Sequence, residues 1–124
     1  MDNFIELACR TESRAFPLDE RKFPNGQSDR LLHAAIGMVT ETGEFIDVLK
    51  KHLYYGRSLD LVNLREEIGD VLWYIAIAMS ALDTTFEAEQ QRVINKLRVR
   101  YPEAYSDEAA VNRNLSAERE VLEK

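Results

Sequence analysis

Residues 71–79, VLWYIAIAM, are apolar on every side of any helix they form. The residues just before them, 60–70, carry Arg65, Glu66, Glu67 and Asp70 among apolar neighbours. One continuous element must therefore be buried all round in one half and present acids in the other. A helix that is apolar on every face belongs in a core or an interface. That run is far too short to span a membrane. The chain of 124 residues has only 5 Gly and 3 Pro, too little turn punctuation for a sandwich or barrel. The reading is all-α.

The rest of the chain supplies the partner helices. Phe4, Ile5, Ala8 and Cys9 share one face of a helix over 4–15. Pro17, Pro24 and Asn25-Gly26 mark a loop over 16–28, with Phe16 and Phe23 placed to fold over a ligand. Ser28 or Asp29 caps a long helix ending near Leu53, with Leu32, Ile36, Val39, Ile46 and Leu53 as its apolar stripe. Gly56 suits a left-handed C-terminal position. A third helix runs from Ser58 or Asp60 to about Leu82. Thr84 and Glu87 form a capping-box signature for a fourth, ending near Arg98 before Pro102. Short helices follow near 106–111 and 116–122. Short connections predict an antiparallel four-helix bundle. The all-apolar half of the third helix predicts a homodimer or higher oligomer that buries it.

Charge and cysteine narrow the function. The net charge of −6 argues against a nucleic acid polymer as partner. A single cysteine excludes an internal disulfide. The acidic start, with Asp2 and Glu6, is unlike a secretory leader, so a cytoplasmic location and no membrane partner are expected. Glycine-rich phosphate loops, HExxH and GxSxG are absent, and neither His33 nor His52 has a Glu three residues before it.

Two carboxylate pairs remain. Glu41 and Glu44 lie in TETGEF, and Glu67 and Asp70 in EEIGD. Spacing of i, i+3 puts each pair on one helical face, where like charges repel. A solvated acidic face is the plain explanation of either pair alone. Together they sit on consecutive helices, interrupt apolar stripes, and each has a glycine, Gly43 or Gly69, before its second acid. Mid-helix glycine costs about 1 kcal/mol relative to alanine, so these two are expected at a close helix approach. Four oxygen-only groups suit Mg²⁺ or Mn²⁺. Asp47 and Glu66 are either extra ligands or surface charges.

The joint pattern Glu41-x-x-Glu44 and Glu67-x-x-Asp70 resembles the ExxE…ExxD signature of the MazG-like all-α NTP pyrophosphohydrolases. LLHAAIGMVTETGEFIDVLKK and REEIGDVLWYIAIA look like that family's two metal-binding helices. Lys96, Arg100, Tyr101 and Pro102 match its Lys–Arg-Tyr-Pro segment. The resemblance covers about residues 28–114 of a single domain over 1–124, with an N-terminal helix and loop (1–27) and a tail (115–124). It implies hydrolysis of a (deoxy)nucleoside triphosphate to the monophosphate and pyrophosphate; the apolar half of the third helix leaves the assembly as a homodimer or a dimer of dimers, a homotetramer. The resemblance implies Glu41, Glu44, Glu67 and Asp70 as the catalytic cage for two or three ions. Substrates lean to purine deoxynucleotides such as dGTP or dATP.

The remaining site residues each carry a plainer alternative. Lys96 and Arg100 are candidates for the phosphate tail, or helix cations, and Arg100 could pair structurally. Asn95 is a candidate nucleotide contact. His33 and Trp73 are candidate base contacts, or packing residues. Gly37, one turn before Glu41, would let a purine approach the backbone. Two other readings of the whole chain stand beside hydrolysis. One is a non-enzymatic helical interaction protein stabilised by metal. The other is a related phosphoribosyl-ATP-type pyrophosphohydrolase.

Overall fold

The computed structural model describes residues 27–124 together with Arg10. The helix expected over 4–15 and the loop with Phe16 and Phe23 lie outside these residues. The described chain is all-helical. In order it forms α1 (Ser28–Tyr55), α2 (Leu61–Ala81), α3 (Phe86–Arg100), α4 (Asp107–Val111) and α5 (Leu115–Leu122). No described helix is long and apolar enough to cross a membrane.

The helix ends follow local chemistry. α1 starts at Ser28, with Gln27 rather than Ser28 or Asp29 in the capping position, and Asp29 falls in the first turn. An acid there still complements the helix dipole. Gly56 ends α1 in the left-handed region at φ 67°, donating its N–H to the Lys51 carbonyl. Asp60 caps α2, its side chain accepting the Asn63 N–H at 3.0 Å. The cap of α3 is Thr85, one residue later than the capping-box reading, and it accepts the Ala88 N–H at 3.2 Å. Thr84 instead donates its hydroxyl to Glu89. Ser106 and Asn114 cap α4 and α5.

α1 and α2 form a long antiparallel hairpin, and α3 packs against α5. Arg30 donates to the Ser80 hydroxyl at 3.0 Å near one end of the hairpin. Gly37 meets Tyr74 further in: a Cβ there would lie 2.2 Å from the tyrosine ring. So the close helix approach falls at Gly37. At Gly43 and Gly69 a Cβ would meet nothing within 4 Å, and the expected contact there is not made.

The apolar stripe of α1 is the second departure. Leu32, Ile36, Val39, Ile46 and Leu53 are all exposed, as are Ile68, Leu72 and Trp73 of α2. α1 faces α2 through its narrow side, with Ala34 and Gly37 buried. Small residues let backbones approach and leave the bulky stripe facing out. Among the described residues the only buried apolar side chains are Ala34 and Ala81.

Candidate metal centre between two helices

α1 and α2 run antiparallel, so acids centred on each helix meet at mid-hairpin. Carboxylate oxygens of Glu41, Glu67 and Asp70 all lie within 4.8 Å of one another. Glu67 is the buried member at 9% exposure, Glu41 is half-buried and Asp70 is exposed. The cluster thus has a floor and an open side. Partial burial, then the charges of Asp70 and Glu67, hold the Glu41 carboxyl above its ordinary value. A hydrogen bond between the Glu41 and Glu67 carboxyls works in the same direction.

Glu44 does not join the group. It is exposed, one turn along α1, yet its charge contributes to the rise at Glu41. Asp47 is bound to Lys51 at 2.6 Å and Lys50 at 3.4 Å, and Glu66 is exposed. The Lys51 hydrogen bond draws the Asp47 carboxyl below its ordinary value. Asp47 is therefore engaged as a surface charge.

The donor set fits a hard divalent cation. It is all oxygen and anionic, which suits Mg²⁺ or Mn²⁺. Oxygens on an Mg²⁺ octahedron lie about 3.0 or 4.2 Å apart, from a bond length of about 2.1 Å. Mutual repulsion, visible at Glu41, is the cost such a cation would relieve.

Toward the Arg30 end lies an aromatic group. His33 stands edge-on to Tyr74 at 5.6 Å, and Trp73 stands edge-on to the same ring at 5.0 Å. The two candidate base contacts are thus brought together through Tyr74, which the sequence reading treats only as part of an apolar run. Tyr74, not a ligand, occupies the space over Gly37.

The α3 candidates divide. Asn95 accepts from Gln91 Nε2 at 2.8 Å and lines a groove of about 290 Å³ with Val121 and Lys124. Lys96 is half-buried and makes no ion pair with a described acid. Arg100 is committed to Glu118, Nε to Oε1 at 2.9 Å and Nη2 to Oε2 at 3.1 Å. Arg113 adds two more, Nη2 to Oε2 at 2.6 Å and Nε to Oε1 at 3.4 Å. Two guanidinium groups hold the Glu118 carboxyl down at about 2. This pairing ties α3 to α5.

Asn63 is the residue that sequence reasoning missed. Its amide donates to Glu67 Oε1 at 2.6 Å from one turn earlier on α2. The available signal was a polar residue four positions before the buried acid.

The described residues are all-helical, and acids from two antiparallel helices converge at mid-hairpin. The MazG nucleotide pyrophosphohydrolase domain matches residues 30–105, well over half of the chain, and the chain belongs to that family. It is also similar to the Gene 37 protein of Mycobacterium phage L5, 36% identical over 77 residues. That match spans 56% of this chain and 65% of the phage protein. No solved structure matches the chain.

Proposed function

We propose that this chain hydrolyses a (deoxy)nucleoside triphosphate to the monophosphate and pyrophosphate. The observation that carries the reading is the convergence of Glu41, Glu67 and Asp70 in a chain of this family. Glu44 joins as the fourth acid of the cage, reached by a rotamer change on the open side. The cage is proposed to hold two or three Mg²⁺ or Mn²⁺ ions. Such ions, when bound, neutralise phosphate charge and lower the pKa of a bound water.

The protein's own groups do the rest. The acids would hold the triphosphate only by way of such cations, since the carboxylates and the net-negative chain themselves repel phosphate. Glu41, half-buried beside Glu67, is the acid proposed to accept a proton from the water attacking the α-phosphorus. His33, Tyr74 and Trp73 offer aromatic edges and faces to the base. A purine presents the larger stacking surface, so dGTP and dATP are the first substrates to test. Lys96 is the proposed contact for the leaving phosphates, because Arg100 is held by Glu118.

A single domain over 1–124 is proposed to act as a homodimer or homotetramer. Outward-facing Leu32, Ile36, Val39, Ile46 and Leu53 supply the reason. Burying each such side chain is worth about 1.5–3 kcal/mol. A second copy laying the same faces together would complete the four-helix bundle that one chain leaves open.

The test is pyrophosphate release from a panel of NTPs and dNTPs with Mg²⁺ or Mn²⁺. Turnover of one or two substrates is expected, falling by more than about 100-fold in Glu67→Gln, since even outer-shell changes cost 10–100-fold. Metal-dependent assembly with no turnover of any nucleotide would instead favour the non-enzymatic interaction protein.

A further inference from the structure

We infer that Asn63 is a positioning residue, whose amide fixes the Glu67 carboxylate for cation binding. The inference rests on the metal-cage reading and deepens it. Glu67 is the buried member of the acid cluster, so its orientation is set by protein rather than by water. Asn63 Nδ2 donates to its Oε1 at 2.6 Å, a short, direct hydrogen bond. A carboxylate can accept on both oxygens. Holding one leaves the other to serve the cluster, with the side-chain torsions locked.

The Asn63 backbone is itself held. The Asn63 backbone N–H donates to Asp60 Oδ1 at 3.0 Å, and the Leu64 N–H to the Asp60 carbonyl at 3.1 Å. The cap of α2 therefore supports Asn63, and Asn63 supports Glu67 one turn further on. The donor is neutral, which matters for a cation site. A lysine or arginine there would hold Glu67 equally well and cancel the charge a cation needs. An amide orients the carboxylate and leaves its charge intact. Outer partners of this kind set ligand geometry and affinity.

The experiment measures Mn²⁺ binding to the full chain, without nucleotide, by electron paramagnetic resonance of free Mn²⁺. Asn63→Leu, which keeps the volume and loses the donor, is expected to weaken binding roughly 10- to 100-fold. Asn63→Ser, too short to reach Glu67, gives the same loss and serves if the leucine variant does not fold. Asn63→Gln keeps a donor within reach and is expected to recover affinity to within about threefold. Thermal unfolding without metal separates this from general damage: the affinity loss persists in variants whose melting temperature is unchanged. Wild-type Mn²⁺ affinity in folded Asn63→Leu or Asn63→Ser overturns the inference. Glu67→Gln separates the two levels. If it binds Mn²⁺ normally, the cage reading fails and this inference with it. If it loses binding while the Asn63 variants keep it, the Asn63 role alone fails.

Discussion

Glu118 shows how one residue joins two helices. It is buried, and it receives four hydrogen bonds between 2.6 and 3.4 Å from Arg100 and Arg113. Its carboxyl sits at about 2 in the folded chain against an ordinary 4.5. The folded value is the lower one, so the ion pair stabilises fully above pH 4.5. That stabilisation drains as pH falls from 4.5 to about 2, where the folded carboxylate itself takes a proton. Glu118→Gln should therefore melt lower than wild type at pH 7. The gap should close between pH 4.5 and 2 in thermal unfolding scans. A gap independent of pH would show that the charge is not what matters. The expectation that Arg100 could pair structurally holds, but its partner was not legible, since Glu118 lies 18 positions away and reads as an ordinary helix charge. The acid cluster was legible because i, i+3 spacing on consecutive helices has a geometric consequence. Glu41, Glu67 and Asp70 meet as that spacing requires, whereas Glu44 points to solvent. Asn63 was hidden because asparagine in a first helical turn usually reads as capping.

At the scale of elements, the α1–α2 hairpin is set by where the helices can approach. Gly37 is that point, with the Tyr74 ring lying where a Cβ would be. Gly37→Ala should cost about 1–3 kcal/mol, the usual range for overpacking, measured by urea unfolding. An unchanged midpoint would mean that Tyr74 moves aside freely. Sequence reasoning placed the approach at Gly43 and Gly69 because glycines beside acids looked purposeful. The contact was decided instead by which face of α1 is narrow, a property of the packed pair. Helix extents were more legible than their ends. Gly56 stands in its expected left-handed position and the α2 start falls at Asp60, one of the two residues expected, because caps and left-handed positions are local chemistry. The α3 cap moved from Thr84 to Thr85, two adjacent residues that local pattern cannot separate.

At the scale of the molecule, two helix pairs share little apolar core. Ala34 and Ala81 cannot by themselves support the described helices, while Trp73 stands 57% exposed. The proposed second copy would cover the α1 and α2 faces, as the run VLWYIAIAM leads us to expect. Sedimentation equilibrium should report a dimer or tetramer. Val39→Arg with Leu53→Arg, both far exposed on α1, should shift it toward monomer and lower the melting temperature. A wild-type chain that sediments as a stable monomer would contradict the proposal.

The central claim is that water attacks the α-phosphorus of a nucleoside triphosphate at the cluster of Glu41, Glu67 and Asp70. Hydrolysis of the preferred nucleotide in ¹⁸O-labelled water, followed by mass analysis of both products, tests it directly. The account predicts label in the nucleoside monophosphate and none in the pyrophosphate. Label in the pyrophosphate, or release of inorganic phosphate with a nucleoside diphosphate, would contradict it.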